Sequence, residues 1–189
     1  IRIVASDFTL STCLVKAIRH AAEVSPKLRF DLLPVSENSN TDLQRGQIDL
    51  LCAGEAMSVD VPGELLIEDT FCCIAWADAS VFEEPLTLNR YLDMDHITVK
   101  WGAIRALTND AMAIIEEGLS RREMVTASYF ATIPDLLIGT SRIATVPRSL
   151  AENIAHRWPI VIEECPLEFK PIKIHAYWAR TLESDPTLI

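Results

Sequence analysis

The chain opens with the apolar stretch Ile1-Arg2-Ile3-Val4-Ala5, which the polar pair Ser6-Asp7 follows directly. The apolar stretch is typical of a short strand, and either polar residue could cap a helix. Apolar side chains then recur at three- and four-residue spacing as far as Ala21, which predicts an amphipathic helix ending before Pro26. The opening of the chain therefore predicts a strand, a turn and a helix.

The residues that follow continue this alternation. Residues 28–33 and 48–53 are apolar enough for two more strands, and residues 41–46 between them form a short helical turn that ends on Gly46. A chain that alternates strand and helix predicts parallel strands joined by right-handed crossovers. The first 53 residues thus predict an α/β unit.

A second α/β unit is predicted further along the chain. Residues 96–99, 123–127 and 143–147 are strand-like, and helical patterns lie between and after them. Candidate helix starts are Thr87, Thr108 and the capping-box sequence Thr132-Ile133-Pro134-Asp135.

The segment between the two units is largely apolar. The segment of residues 64–77 is long enough to form two strands, or one strand that crosses between the units. Late strands at 160–162 and 172–178 could return to the first unit. Two units joined by two crossings would leave a cleft, and open α/β sheets bind ligands beyond the carboxyl ends of their strands.

Composition narrows the class of protein. The chain has 189 residues, of which 49% are hydrophobic and 23% charged, with a formal net charge of −10. This is ordinary globular composition, and the acidic balance disfavours duplex binding by these residues alone. No apolar run reaches the ~18 residues that a membrane span needs.

The five cysteines contain no C-x-x-C spacing and most lie in apolar stretches, which predicts reduced thiols in a cytoplasmic protein. Cys72 and Cys73 are adjacent in a predicted strand, so they should point to opposite faces. Two buried thiols are therefore favoured over a redox pair.

Catalytic motifs are missing from the sequence. It contains no G-x-S-x-G, P-loop, G-x-G-x-x-G or H-E-x-x-H pattern, and its four histidines lack metal-ligand spacing. We therefore predict that the chain is not an enzyme and that it uses no catalytic residue, metal or cofactor.

Polar and aromatic residues at predicted strand ends are the candidate ligand contacts. Helix starts at such ends expose backbone N–H groups that can bind polar ligand atoms. A simple helix cap, a surface loop or a core aromatic is the competing interpretation at each position. The candidates are Ser6, Asp7, Phe8, Ser36, Lys100, Trp101, Gly102, Phe130, Ala131 and Thr132.

Several segments together resemble the effector-binding domain of LysR-type transcriptional regulators. They occur in the family's order and cover essentially the whole chain. They are the opening strand with its helix, Leu43-Gln44-Arg45-Gly46-Gln47-Ile48-Asp49-Leu50, Leu136-Leu137-Ile138-Gly139 through Arg142-Ile143-Ala144-Thr145-Val146-Pro147, Trp178-Ala179-Arg180, and Asp185-Pro186.

Within that family the chain is most similar to the nodulation-regulator (NodD-like) branch. The segments that carry this similarity include Glu68-Asp69-Thr70, Lys100-Trp101-Gly102 and Gly139-Thr140-Ser141-Arg142.

The resemblance implies an α/β fold with two Rossmann-like lobes joined by two crossover strands, of the periplasmic-binding-protein type. Lobe I would comprise residues 1–73 and 170–189, and lobe II residues 74–169. An N-terminal winged helix-turn-helix domain and a C-terminal helix would be absent from this chain. The ten candidate residues would contact a small effector, aromatic or flavonoid-like, in the cleft.

The resemblance also implies partners. The effector domains would form homodimers, and the full-length protein would form tetramers that bind promoter DNA through the absent domain, with activation as the expected outcome. A solute-binding protein of a transport system is the alternative, and a small enzyme with its site in the cleft is a second one. The five cysteines argue against the transport protein, which would be secreted.

Overall fold

The computed structural model describes residues 1–54, 61–100 and 108–179. The chain divides into two compact units, here called unit 1 (Ile1–Glu68 and Lys173–Ile189) and unit 2 (Asp69–Ile172). The predicted boundaries between the lobes lie after residues 73 and 169, whereas the boundaries between the two units lie after residues 68 and 172. The first boundary differs from the predicted one because residues 71–73 lie in a strand of unit 2. The predicted helix start at Asp185-Pro186 lies outside the described residues.

The described elements follow the predicted alternation. The strands are β1 Arg2–Ala5, β2 Asp31–Leu33, β3 Leu50–Gly54, β4 Gly63–Asp69, β5 Phe71–Trp76, β6 Asp95–Val99, β7 Arg122–Ala127, β8 Ile143–Pro147, β9 Ile160–Glu164 and β10 Ile172–Trp178. The α-helices are α1 Asp7–Thr9, α2 Val15–Val24, α3 Ser39–Gln44, α4 Leu88–Asp93, α5 Asn109–Glu116, α6 Ile133–Leu137 and α7 Arg148–Ala155. Within the described residues, no helix combines the length and the apolar character that a transmembrane span requires.

Unit 1 is built on a five-stranded sheet in the order β2-β1-β3-β10-β4. β1 runs parallel to both β2 and β3, as the alternating pattern predicts. β10 is antiparallel to β3, so this late strand does return to the first unit. The other late strand, β9, pairs with β5 and remains in the second sheet. One apolar cluster of unit 1 consists of Val4, Leu43, Ile48, Leu51, Ala53 and Tyr177.

The first helical region of unit 1 contains a π-helical turn, Leu10–Leu14, between α1 and α2. The Ser11 and Thr12 hydroxyls both donate to the Phe8 carbonyl oxygen, at 3.1 and 2.7 Å. These side-chain bonds compete with the regular backbone ladder at that turn. The predicted amphipathic helix is thus confirmed, with a local π turn that the apolar spacing does not reveal.

Unit 2 is built on a second five-stranded sheet, in the order β7-β6-β8-β5-β9. β6 is parallel to β7 and β8, whereas β5 is antiparallel to β8 and β9. Residues 64–77 therefore form two strands: β4 belongs to the first sheet and β5 to the second. The two mixed α/β sheets confirm the predicted fold class.

Local helix starts in unit 2 follow the predictions unevenly. Thr87 caps α4, with its Oγ1 accepting from the Arg90 backbone N–H at 3.4 Å. Thr108 occupies the N-cap position of α5 but makes no side-chain capping bond. The capping box at Thr132 is wrong, because a 3₁₀ turn, Phe130–Thr132, leads into α6 and Thr132 already has helical backbone angles.

α7 receives its cap from a distant part of the chain. It follows Pro147, which has no side-chain acceptor. The Asp69 carboxylate instead accepts from the Ser149 backbone N–H at 3.0 Å and from the Ser149 hydroxyl at 2.7 Å. Asp69 is the first residue of unit 2. This contact therefore ties the start of the unit to a helix 80 residues later.

Candidate functional site

Ser6 and Asp7 lie at the carboxyl end of β1 in unit 1. The Ser6 hydroxyl oxygen accepts from the Thr9 backbone N–H at 3.2 Å and lies 3.0 Å from the Thr9 hydroxyl. Both residues are half-buried, and Asp7 is the first residue of α1. Ser6 is therefore a helix cap, and at this partly open position its hydroxyl is also within reach of a ligand.

Phe8 differs from its two neighbours because its side chain is only 1% exposed. Its ring packs in the core of unit 1, and its carbonyl oxygen already accepts the two hydroxyl bonds of the π turn. A ligand contact through the ring would require the ring to leave the core. Of the three strand-end residues, Ser6 and Asp7 are the more accessible pair.

Ser36 follows β2 and is exposed. Its hydroxyl oxygen accepts from the Asn38 N–H at 3.3 Å, and its own N–H donates to the Ser39 hydroxyl oxygen at 2.9 Å. Because β1 and β2 are parallel, their carboxyl ends lie at the same edge of the sheet. Ser36 and Ser6 thus mark the same edge of unit 1.

Phe130, Ala131 and Thr132 follow β7 in unit 2. Phe130 is 3% exposed and belongs to the core, whereas Ala131 and Thr132 are exposed. The Thr132 hydroxyl donates to the Tyr129 carbonyl oxygen at 3.0 Å, and the Tyr129 side chain is 54% exposed. The accessible groups here are the Thr132 hydroxyl and the Tyr129 ring.

Lys100 follows β6, and its backbone N–H donates to the Ala127 carbonyl oxygen at 3.0 Å. Its ammonium is 2.5 Å from Glu123 Oε2, and the Lys100 side chain is 17% exposed. Glu123 pairs with His96, four residues before Lys100, so the Lys100 side chain points back along the sheet. The Lys100 ammonium therefore already has a carboxylate partner within unit 2. Trp101 and Gly102 lie outside the described residues.

Each unit thus gathers polar groups at the carboxyl edge of its parallel strands: Ser6, Asp7 and Ser36 in unit 1, and the Lys100 backbone with Thr132 in unit 2. Hydroxyls, amides and an aromatic ring suit a polar aromatic ligand. Within residues 1–54, 61–100 and 108–179, no group of three or more His, Cys, Asp or Glu side chains could hold a metal ion.

Unit 2 also contains a buried polar chain that sequence patterns did not reveal, here called the Tyr91 network: Asp110, Arg121, Tyr91 and Thr145. Arg121 forms an ion pair with Asp110 at 2.8 Å, and their side chains are 3% and 4% exposed. Arg121 also donates to the Tyr91 hydroxyl at 2.8 Å, which in turn lies 2.8 Å from the Thr145 hydroxyl.

The charges of the Tyr91 network follow from these contacts. Burial alone would lower the pKa of Arg121, but the adjacent Asp110 carboxylate raises it overall. Burial raises the pKa of Tyr91, so its hydroxyl is neutral at pH 7 and can donate to Thr145 while it accepts from Arg121. Each member therefore has a partner, which a buried polar group requires.

His96 lies beside this network and is fully buried. Its Nε2 is 2.6 Å from the Tyr91 carbonyl oxygen, a geometry in which Nε2–H donates. Burial lowers the pKa of His96 to about 4, so the imidazole is neutral at pH 7. His96 is therefore a structural residue of unit 2.

Comparison with solved structures identifies the fold. The regulatory domain of MexT, a transcriptional activator in Pseudomonas aeruginosa, superposes with a TM-score of 0.84 over 100% of this chain and 94% of that chain, at 19% identity. The regulatory domain of MetR, a LysR family regulator from N. meningitidis, gives a TM-score of 0.72 over 100% and 88%, at 14% identity. The chain therefore has the fold that these two regulatory domains share.

Sequence comparison then gives the family. The model of the LysR substrate binding domain matches residues 1–188, so the chain belongs to that family. Nodulation protein D 2 of Rhizobium tropici is 36% identical over 98% of the chain and 59% of its own length. Nodulation protein D 1 of Mesorhizobium japonicum is 31% identical over 100% and 60%. The chain spans about three fifths of these curated relatives.

Proposed function

We propose that this chain is the effector-sensing part of a regulator of transcription, and that its effector is a small aromatic or flavonoid-like molecule. The observation that carries the proposal is the pair of polar strand edges, one in each unit, within a LysR substrate binding domain. Ligands of open α/β sheets bind at such edges because helix starts gather there.

The proposed ligand contacts are the accessible groups at the strand edge of each unit. In unit 1 they are Ser6, Asp7 and Ser36, and in unit 2 they are Thr132 and the exposed Tyr129 ring. Hydroxyls would orient the polar substituents of the effector, and the ring would stack on its aromatic face. Lys100 would take part only if an anionic effector displaced its ammonium from Glu123.

The effector acts by shifting a conformational equilibrium. It can favour one arrangement of the regulator only by its difference in affinity between the arrangements. In the whole protein, located in the cytoplasm, that shift would alter a dimer of these domains within a tetramer, and thereby promoter DNA held by an N-terminal DNA-binding domain. The expected outcome is activation of transcription.

A thermal-shift screen tests this proposal. The chain is heated with flavonoids, hydroxybenzoates and small organic acids, each over a range of concentrations. An effector raises the midpoint of unfolding with dose because it binds the folded state. At 100 times its Kd it adds roughly 2.7 kcal/mol to the free energy of unfolding. A flat response across all aromatic compounds would contradict the proposal.

A further inference from the structure

Two cysteines of unit 2 that are far apart in sequence lie in contact. The Sγ atoms of Cys73 and Cys165 are 3.4 Å apart, although 92 positions separate the residues. Cys73 lies in β5 opposite Glu163 of β9, and Cys165 lies two positions beyond Glu163. Alternation along a strand puts all three side chains on one face, so the cysteines are diagonal neighbours.

The adjacent Cys72 is not a partner for Cys73. It faces the other side of the sheet, where its thiol donates to the Val146 carbonyl oxygen at 3.8 Å. Burial raises the pKa of Cys72 to about 12. Cys72 and Cys73 are both 0% exposed, as the two-buried-thiols interpretation predicts, and the thiol in contact with Cys73 is Cys165.

Cys165 provides a route from solvent to this pair. It is half-buried and lines a cavity of about 270 Å³ together with Thr70, Phe71, Glu164, Leu167, Glu168 and Phe169. Cys73 is fully buried behind it. The two glutamates make the cavity wall acidic, although Glu164 pairs with Arg148 at 2.6 Å. A small cationic reagent would therefore be favoured over an anionic one.

We propose that Cys73 and Cys165 form a reversible disulfide by exchange with a low-molecular-weight disulfide. The Cys165 thiolate attacks one sulfur of the reagent, which releases its first half as a thiolate. Cys73, after losing its proton, attacks the Cys165 sulfur and releases the second half. The protein loses two protons and two electrons, and the reagent gains them and leaves as two thiols.

The environment of Cys165 predicts the rate of this exchange. Its hydrogen bond with Cys73 and its burial both raise the pKa of the Cys165 thiol. The reactive thiolate is thus scarce at pH 7, and the rate should increase about tenfold for each pH unit while the thiol remains mostly protonated. The bond would close a long loop of unit 2 and stabilise it against unfolding.

The test uses the full chain and cystamine, a small disulfide that is cationic at neutral pH. After incubation at pH 8, free thiols are counted, the remaining thiols are alkylated, and peptides are mapped by mass spectrometry. The expected result is loss of two of the five thiols, a peptide pair linked through Cys73 and Cys165, and a midpoint of unfolding raised by several degrees. Dithiothreitol should reverse all three changes.

Variants provide the controls. Cys165→Ser should lose the linked peptide, whereas Cys72→Ser, at the buried neighbouring position, should keep it. The mass-spectrometric result on the unmodified chain does not depend on whether any variant folds. A bond between other cysteines, a mixed disulfide that stops at Cys165, or an unchanged thiol count would overturn the proposal.

Discussion

One arginine–aspartate pair from each unit allows a direct comparison, because these two pairs differ in burial. In unit 1, Arg2 pairs with Asp49 at 3.0 Å with side chains 43% and 24% exposed. In unit 2, Arg121 pairs with Asp110 at 2.8 Å with both side chains almost fully buried. Exposed ion pairs contribute little to the free energy of unfolding, whereas removing one partner of a buried pair leaves a buried charge without a partner. The Arg121–Asp110 pair should thus contribute much more to stability than the Arg2–Asp49 pair.

The largest effect is expected from Asp110→Ala. The substitution leaves the buried Arg121 guanidinium without its carboxylate and should lower the free energy of unfolding by about 3–5 kcal/mol. The matched change in unit 1, Asp49→Ala, removes the exposed pair and the bond from the Arg2 backbone N–H at 2.7 Å, and should cost about 1–2 kcal/mol. Urea denaturation of both variants measures the difference, and equal losses would show that the two pairs do not differ as described.

A smaller effect is expected from pH, through His96. Its pKa is about 4 in the folded state and about 6.5 when unfolded. Between these values the unfolded chain binds a proton that the folded chain does not, so stability falls as pH decreases from 6.5 to 4. The loss of stability should reach about 3 kcal/mol at pH 4. Above pH 6.5, the protonation of His96 should no longer affect stability.

The measurement is the free energy of unfolding against pH for the unmodified chain and for His96→Gln. The variant should lose that part of the pH dependence, whereas His20→Gln, at an exposed position on α2, should retain it. Identical slopes for all three proteins would argue against a neutral, buried His96.

The smallest effect is expected from helix caps. Asp69→Ala removes the acceptor for the Ser149 N–H at the start of α7 and should cost about 1 kcal/mol. Ser6→Ala removes the cap of α1 in unit 1 and should cost a similar amount. Thermal unfolding measures both. A loss for Ser6→Ala alone would mean that the distant cap does not stabilise α7.

The predictability of these features depends on their distance in sequence. The Thr87 cap joins residues three positions apart and could be predicted from the chain, as could the strand–helix alternation. The capping box at Thr132 failed because the preceding 3₁₀ turn had already positioned that residue. The Asp69 cap and the Cys73–Cys165 contact join residues 80 and 92 positions apart, and no local pattern encodes such pairs.

In the candidate site, too, local sequence patterns predict the positions of residues but not their long-range contacts. The strand-end positions of Ser6, Ser36 and Thr132 follow from the alternation of elements. Side-chain direction does not, and Lys100 accordingly points toward Glu123, which lies on the neighbouring strand. Phe8 and Phe130 are buried, unlike their more accessible neighbours. The sequence does not predict this difference, because an aromatic residue at a strand end is equally compatible with a core position and with a ligand contact.

Two threonines of α6 and its flanking turns allow the most direct test of the strand-end site. The Thr132 hydroxyl donates to the carbonyl oxygen three residues earlier, at the start of the helix, and the Thr140 hydroxyl does the same after its end. Valine at position 132 removes this one bond, whereas valine at position 140 also removes the bond that the Thr140 hydroxyl accepts from the Arg142 N–H at 3.2 Å. The control variant should therefore lose at least as much stability as Thr132→Val. Only Thr132 lies at the proposed ligand edge.

Titration calorimetry of Thr132→Val and Thr140→Val with the flavonoid or hydroxybenzoate that most stabilises the unmodified chain tests the central claim. Loss of one ligand hydrogen bond should raise the Kd of Thr132→Val about five- to tenfold and leave that of Thr140→Val within about twofold. Unchanged affinity in Thr132→Val, or an equal loss in both variants, would contradict effector binding at this edge.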